Sequence, residues 1–248
     1  MPITEVLEEN CRKFGNDICL VEINPEIEEA KRVGWKERGL MEPSTASYFR
    51  REITWNVFNE KANRFANLLL SRGIKKGDKV GILLMNCLEW LPIYFGALKT
   101  GALAVPLNFR YAADEIEYCV NLAECNVLVF GPEFVTRVEE IYENINKGRL
   151  LFYVGGDCPE FAESYNDLTA NCASVSPDIK PTDDDDEAIY FSSEQQDSLK
   201  LFCIIIQALC IHVRQNRHIM ARQGKMYSYA FLLYIIPVQK CIGLVHSL

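Results

Sequence analysis

The fold is decided by residues 79–106, which read KVGILLMNCLEWLPIYFGALKTGALAVP. Val80–Met85 is a short apolar run after a turn, which predicts a buried strand. The apolar segment from about Leu88 to Lys99 has the length of a helix, and Thr100-Gly101 then ends it. A second short apolar run, ALAVPLN, follows immediately. Strand, helix and strand at this spacing predict an α/β fold, a parallel sheet with crossover helices.

The flanking segments continue the same alternation. Thr54 is a candidate N-cap for a helix that Arg72-Gly73 ends. Downstream, helix-like and strand-like segments alternate in the order AADEIEYCVNLAE, NVLVFG, EFVTRVEEIYENINK and LLFYVG. We expect Asn24–Arg51 to be a loop or insertion and Gly156–Thr182 to be mostly irregular. We expect Asp183–Glu187 to be a solvated acidic turn, followed by a buried strand, AIYFSS, that ends at two serines.

Charge and cysteine content exclude several classes of protein. The 248 residues carry a formal net charge of −8, which argues against a nucleic-acid partner. The ten cysteines form no CxxC pair, and most lie in apolar segments, so we expect reduced, buried thiols in a cytoplasmic protein. The charged N-terminal segment does not have the pattern of a signal peptide. Tyr227–Val238 is apolar but is shorter than the about 20 residues of a membrane span.

The composition changes at Ser193. Residues 194–248 contain six Lys or Arg and two acidic residues, so they carry +4 while residues 1–193 carry −12. All three histidines also follow Ser193. We therefore predict a domain over residues 1–193 and an irregular or poorly ordered tail over residues 194–248. Zinc-finger spacing is absent among the candidate metal ligands of this tail, Cys203, Cys210 and His212.

A family resemblance is carried by residues 51–120, REITWNVFNEKANRFANLLLSRGIKKGDKVGILLMNCLEWLPIYFGALKTGALAVPLNFRYAADEIEYCV. This segment resembles the AMP-forming acyl-CoA synthetases of the adenylate-forming superfamily. The landmarks follow that family's order: an opening helix, a GDKV turn, a strand ending at Asn86, the helix EWLPIYFGALKTGA and then VPLNFR. The later segment DDDDEAIYFSS resembles the family's approach to its phosphate-binding loop. The resemblance implies the truncated N-terminal subdomain of an adenylate-forming enzyme.

The resemblance fails at the phosphate-binding loop itself. In the family, a strand ending in Ser-Ser runs into a loop of the type GTTGFPK. Glycines let the backbone approach phosphates, amides and hydroxyls donate hydrogen bonds, and the lysine supplies positive charge. Residues 194–200 are instead EQQDSLK, with two acidic side chains and no glycine. The family pattern makes Ser192, Ser193 and Lys200 the remnant of an ATP phosphate loop, and we expect no catalytic residue and no metal ligand in this chain.

A change of reading frame accounts for this departure. The codons GAA CAA CAG GAT TCC CTA AAG encode EQQDSLK, and one preceding G makes them read GGA ACA ACA GGA TTC CCT AAA, or GTTGFPK. In the same shifted frame, residues 226–243, MYSYAFLLYIIPVQKCIG, permit a segment containing PPLYHTG, which resembles the family's next landmark. We interpret the tail as the product of one lost nucleotide near the codon for Glu194. On this interpretation, His212 and His218 have no metal-binding role.

The resemblance also implies an activity for the intact family. An ATP-dependent acid:CoA ligase forms an acyl-adenylate and then an acyl-CoA, using ATP, Mg²⁺ and coenzyme A on an acyl or aryl carboxylic acid. We expect this chain to bind none of these cofactors and to be inactive. Two alternatives stay open. The chain is a non-catalytic fragment that binds a partner, which an ordered tail would favour, or its parent is a related enzyme such as a peptide-synthetase adenylation domain or a luciferase.

Overall fold

The computed structural model of the chain describes residues 2–23, 50–192 and 200–205. Its helices are α1 (Ile3–Phe14), α2 (Trp55–Ser71), α3 (Trp90–Lys99), α4 (Ala113–Leu122), α5 (Val135–Ile145) and α6 (Tyr165–Ala170), with a short 3₁₀ helix at Pro132–Phe134. Its strands are β1 (Ile18–Ile23), β2 (Arg50–Thr54), β3 (Lys79–Leu83), β4 (Leu103–Pro106), β5 (Val127–Phe130), β6 (Leu150–Tyr153), β7 (Glu163–Ser164), β8 (Asp186–Ser192) and β9 (Lys200–Ile205).

The strands form two sheets. β1 and β2 pair antiparallel, and the larger sheet has the order β7-β6-β5-β3-β4-β8-β9. From β7 to β8 every neighbouring pair is parallel, whereas β8 and β9 are antiparallel. The predicted parallel sheet with crossover helices is therefore confirmed. We expected an irregular tail after Ser193, but residues 200–205 form a strand that pairs with β8. Residues 206–248 lie outside the described residues.

Both faces of the larger sheet are covered by helices. In β5, Val127 and Val129 join a core with α1, α2 and α3, while Leu128 and Phe130 join a second core with α4 and α5. Alternate residues of a strand point to opposite faces, and β3, β4, β5, β6 and β8 each supply residues to both cores. Burial on two faces explains why these strands are continuous apolar runs rather than alternating ones.

The helix α2 follows the sequence signals closely. Thr54 accepts a hydrogen bond from the Val57 backbone N–H at 3.3 Å, which is an N-cap interaction. The chain leaves the helix at Gly73, where φ is +82°, a conformation that glycine adopts without strain. Helix α2 packs closely on α3 because Gly96 has no side chain. A Cβ at Gly96 would lie 2.8 Å from a ring carbon of Phe65.

The segment from 156 to 182 is more regular than expected. It contains β7 and α6, and the Ser164 side chain caps α6 by accepting a hydrogen bond from the Asp167 N–H at 3.2 Å. Tyr165 is 2% exposed, and its ring lies 5.5 Å from that of Phe65 in α2. Burial of this tyrosine fixes a helix that is too short to show a period in the sequence. Most of the expected loop 24–51 lies outside the described residues.

Thiols and helix lengths are described for part of the chain. The cysteines with described side chains are free thiols, and burial raises the pKa of Cys119 and of Cys125 to about 12. Within the described residues, the helices are all too short or too polar to cross a lipid bilayer. Tyr227–Val238 and the three histidines lie outside the described residues.

Candidate functional site

The candidate site is the edge of the larger sheet at which the parallel strands end. β3, β4, β5, β6 and β8 end there at Leu83, Pro106, Phe130, Tyr153 and Ser192. Helix α3 leaves β3 on one face and α5 leaves β5 on the other, and these two strands are neighbours. Ligands of open α/β sheets bind at the carboxyl ends of strands where connections diverge in this way.

Two of the three predicted site residues are described, and the strand pairing brings them together. Ser192 is the last residue of β8, and Lys200 is the first residue of β9. They are register partners in the antiparallel ladder, so residues 193–199 connect two adjacent strands. Ser193 lies outside the described residues. A phosphate-binding role for these three residues stays a prediction.

The residue types after Ser192 do not fit a nucleoside triphosphate. A phosphate cradle needs backbone N–H groups that approach the anion without Cβ atoms in the way, which is the role of glycine. Residues 194–200 contain no glycine and place Glu194 and Asp197 where the family has uncharged residues. Carboxylates beside phosphates repel them. In the described part of the chain, Asp, Glu, His and Cys also form no cluster that could hold a metal ion.

The loop after β3 is held by the β1–β2 sheet. The Glu22 carboxylate is 8% exposed, and its Oε2 accepts hydrogen bonds from the Leu88 N–H at 3.0 Å and from Arg51 at 2.5 Å. Arg51 also lies 3.8 Å from the Glu89 carboxylate. Burial alone would lower the pKa of Arg51, but the hydrogen bond and charge of Glu22 raise it. These contacts fix residues 84–89 at the carboxyl end of β3.

The loop after β4 is held from the opposite face. The Arg137 guanidinium in α5 donates hydrogen bonds to the carbonyls of Phe109 and Tyr111, at 2.9 and 3.0 Å. The guanidinium also lies over the Phe134 ring, with 5.4 Å between its central carbon and the ring centroid. One arginine therefore positions residues 107–112, the segment that contains most of the VPLNFR landmark.

A buried polar cluster lies between β8 and α3, and the sequence did not reveal it. Glu187, expected in a solvated turn, is 1% exposed, so that prediction is wrong for this residue. The Tyr94 hydroxyl donates a 2.7 Å hydrogen bond to Glu187 Oε1, and the Tyr190 hydroxyl lies 3.3 Å from that of Tyr94. Burial raises the pKa of Glu187 to about 8, and the Tyr94 hydrogen bond offsets only part of this effect. Because the four residues before Glu187 are acidic, the sequence pattern indicated an exposed turn and gave no sign that Glu187 is buried.

The acidic residues before Glu187 behave largely as expected. Asp184 and Asp186 are exposed, and Asp183 and Asp185 are partly exposed. Asp185 pairs with Lys76 and accepts a 2.8 Å hydrogen bond from the Thr182 N–H. The Lys76 hydrogen bond is the largest cause of a lowered pKa at Asp185. The predicted acidic turn therefore ends at Asp185, and β8 begins at Asp186.

A groove of about 510 Å³ lies elsewhere, between α5 and residues 159–161. Its polar side chains are three exposed glutamates and the partly exposed Tyr142, and none has a buried atom without a hydrogen-bond partner. It therefore lacks the convergent, partly desolvated polar groups of a small-molecule site. Its lining residues are Val135, Glu139, Tyr142, Glu143, Glu160 and Phe161, together with Pro159.

Solved structures share the fold of this chain. The anthranilate-CoA ligase AuaEII, in complex with anthranoyl-AMP, superposes with a TM-score of 0.72 at 22% identity, over 86% of this chain and 36% of the ligase. The N-terminal domain of FACL13 from Mycobacterium tuberculosis superposes with a TM-score of 0.66 at 22% identity, over 84% of this chain and 45% of that one. The fold is that of the N-terminal domain of adenylate-forming enzymes.

Sequence comparison gives the family. The family model of the AMP-binding enzymes matches residues 35–193, and the chain belongs to this family. The long-chain-fatty-acid–CoA ligase FadD13 of Mycobacterium tuberculosis is 28% identical over 170 residues, which are 66% of this chain. The crotonobetaine/carnitine–CoA ligase of Salmonella typhimurium is 36% identical over 94 residues, 38% of this chain and 18% of the ligase. The chain spans about a third (33%) of the FadD13 sequence.

Proposed function

We propose that this chain derives from an ATP-dependent acid:CoA ligase and does not itself form an acyl-adenylate. Its family and the ligases to which it is similar support the ancestry. The observation that carries the loss of activity is the composition of residues 194–200, EQQDSLK. The family resemblance ends where a glycine-rich phosphate loop would begin, and the family match also ends at residue 193.

Electrostatics and backbone freedom both oppose phosphate binding there. Two unit charges about 4 Å apart interact by about 1 kcal/mol in water and by more near a protein surface. Two carboxylates beside a polyanion are therefore unfavourable, and Lys200 offsets only one of them. A Cβ on every residue of 194–200 also hinders the close approach of successive backbone N–H groups to an anion.

We assign different roles to the two parts of the chain. Residues 1–193 are part of an AMP-binding domain, and residues 194–248 are an out-of-frame tail rather than a second domain. Ser192, Ser193 and Lys200 are remnants of the ATP phosphate loop. The ancestral enzyme would use ATP, Mg²⁺ and coenzyme A on a carboxylic acid substrate. Free thiols at the described cysteines agree with a reducing compartment such as the cytoplasm.

The test is ATP–pyrophosphate exchange by the purified 248-residue chain, with Mg²⁺ and a panel of fatty and aryl acids. A full-length acid:CoA ligase serves as the positive control. We expect exchange at the level of the blank for every acid. Acid-dependent exchange above the blank, lost in a Ser192→Ala variant, would contradict the proposed inactivity.

A second candidate function is a non-catalytic fragment that binds a partner through its sheet. It is favoured by the strand at residues 200–205, because an ordered segment after Ser193 extends the sheet beyond β8. Limited proteolysis with mass spectrometry distinguishes the two candidates. Early cleavage between residues 193 and 206 supports an unselected tail, whereas protection through residue 205 and beyond supports the binding fragment.

A further inference from the structure

Helix α3 and strand β8 meet at an acidic side chain that lies in apolar surroundings. Glu187 is 1% exposed, and its Oε1 accepts the 2.7 Å hydrogen bond from Tyr94. Its Oε2 is buried and has no hydrogen-bond partner. An ionised carboxylate here would exchange its hydration shell for a single neutral donor, which is unfavourable. A protonated carboxyl avoids most of this cost.

The backbone explains why Glu187 faces inward. In the β8–β9 ladder, Asp186 pairs with Ile205 and Ala188 pairs with Ile204, so Glu187 is an extra residue without a partner. Such a β-bulge turns its side chain away from the alternation of the strand. Glu187 and Tyr190 both approach Tyr94, although they are three residues apart in one strand. The inward orientation of Glu187 therefore accompanies the bulge in the β8–β9 pairing.

The titratable groups around Glu187 supply no positive charge. Helix α3 contributes the Tyr94 hydroxyl, and β8 contributes the Tyr190 hydroxyl. Burial raises the pKa of both phenols, to about 12 for Tyr190, so both stay neutral well above pH 7. β4, which pairs with β8 on the other side, consists of Leu, Ala, Val and Pro and has no titratable side chain.

The remaining neighbour is β9, and its titratable residues pair with residues of β8 other than Glu187. Lys200 is the register partner of Ser192, at the far end of β8 from Glu187. Cys203 is the register partner of Ile189. Among the described side chains, no Lys, Arg or His lies within ion-pair distance of Glu187, whereas Lys76 pairs with Asp185 two residues earlier.

We propose that β8 docks on α3 through the protonated carboxyl of Glu187, which makes the seating of this strand sensitive to pH. Ionisation leaves a buried anion with the Tyr94 hydroxyl as its donor and with one oxygen unpaired, and it weakens the contact between the strand and the helix. β8 ends at Ser192, so the contact also supports the strand end at the candidate site. The proposal concerns the folded chain and holds whether or not the chain has ligase activity.

The direction of the pH effect follows from the two pKa values. The pKa of Glu187 is near 4.5 in the unfolded chain and about 8 in the folded one. Between these values the folded state holds a proton that the unfolded state has lost, so stability falls as pH rises. Below about pH 4.5 and above about pH 8 this group adds no further dependence on pH.

The experiment is equilibrium urea unfolding of the full chain from about pH 5 to about pH 9, for the parent and for Glu187→Gln. The amide keeps an acceptor for Tyr94 and cannot ionise. Between about pH 5 and about pH 7 we expect the folding constant of the parent to fall about tenfold per pH unit relative to Glu187→Gln. Asp185→Asn is the matched control, since it removes a nearby carboxyl whose pKa is lowered, and it leaves the parent's slope unchanged. Parallel profiles for the parent and Glu187→Gln would overturn the proposal.

A second measurement detects the protonated carboxyl directly in the parent chain, so it does not depend on whether a variant folds. Infrared spectra of the parent chain, with ¹³C-labelled glutamate, distinguish a protonated carboxyl from a carboxylate in solution or in suspension. We expect a protonated glutamate band at about pH 7 that is lost above about pH 8. Tyr94→Phe removes the donor that favours the anion, so the band persists to higher pH in that variant. Absence of a protonated glutamate band at about pH 7 would refute the proposal.

Discussion

Ser192 and Lys200 are register partners across the β8–β9 pair. Residues 193–199 connect these two predicted phosphate-loop residues, and Lys200 is the first residue of β9. A lysine in this position has no glycine turn beside it to expose backbone N–H groups to an anion. Lys200 occupies the position of the family's loop lysine, but this position is not sufficient to make it a phosphate ligand.

Restoring the loop provides the first prediction. Replacing residues 194–200 with Gly-Thr-Thr-Gly-Phe-Pro-Lys removes two carboxylates and adds two glycines, so we expect affinity for inorganic triphosphate to rise at least about tenfold. Calorimetric titration measures the change. The control is the double variant Glu194→Gln and Asp197→Asn, which removes charge without glycine, and it gives a smaller gain. Equal affinity in all three proteins would show that neither charge nor glycine limits binding at this loop.

The second prediction concerns the packing of α2 on α3. A Cβ at Gly96 would lie 2.8 Å from a Phe65 ring carbon and 2.9 Å from the Ala62 carbonyl oxygen. Because the carbonyl belongs to a helix backbone, the helices must separate, and Gly96→Ala is expected to lower the free energy of unfolding by about 1–3 kcal/mol. Urea unfolding measures this loss. Gly156→Ala, at a site with no heavy atom within 4 Å, is the control, and an equal loss in both variants contradicts the packing argument.

The third prediction concerns a buried lysine. Lys99 is 2% exposed, and its ammonium donates a 3.0 Å hydrogen bond to Glu8 in α1. Glu8→Gln leaves that charge without its counter-ion, so we expect a loss of about 2 kcal/mol in unfolding free energy. The exposed pair of Glu9 and Lys13 is the comparison, and Glu9→Gln is expected to change stability by less than about 0.5 kcal/mol.

The same pair determines part of the acid dependence. Burial alone would raise the pKa of Glu8, but the hydrogen bond and charge of Lys99 outweigh it, and the pKa is lowered from 4.5. The stabilisation from Glu8 is thus present above about pH 4.5 and is lost as pH falls through the folded-state pKa. Unfolding curves at about pH 3 and about pH 6 measure this dependence. A Glu8→Gln variant as acid-sensitive as the parent would exclude this contribution.

The fourth prediction concerns the segment that connects α6 to β8. Asn67 donates hydrogen bonds to the carbonyls of Ala173 and Val175, at 2.8 and 2.9 Å. Asn67→Ala removes both bonds and is expected to speed amide hydrogen exchange in residues 171–178, at a cost of about 1 kcal/mol. Mass spectrometry of peptic fragments measures the exchange. Asn144→Ala, which removes a surface bond to Glu117, leaves that segment unchanged, and an effect of Asn144→Ala there would point to a global cause.

The parts of the fold that the sequence predicts are those with local signals. A capping residue, Thr54, marks the start of a helix, and glycines with positive φ, Gly73 and Gly101, mark helix ends. Apolar runs such as Val127–Phe130 mark strands that are buried on both faces. Helix α6 has a capping serine, Ser164, but its six residues are too few to show a period. Burial of Tyr165 against α2 holds it in place.

The candidate site could be predicted only in part. Ser192 follows from the family order of landmarks, whereas the partner of Lys200 depends on long-range strand pairing that no local pattern encodes. The burial of Glu187 likewise could not be predicted from a local sequence pattern. Its inward orientation depends on a β-bulge and on Tyr94, which is 93 residues away in the sequence. A run of five acidic residues gives no sign that the last of them is buried.

Calorimetric titration of Mg²⁺–ATP into the purified 248-residue chain tests whether the chain binds nucleotide, with a full-length acid:CoA ligase as the positive control. Because residues 194–200 contain two acidic residues and no glycine, we expect no saturable heat for this chain up to about millimolar nucleotide, where the binding free energy is only about −4 kcal/mol. Saturable binding at micromolar nucleotide, weakened by Ser192→Ala, would contradict the account.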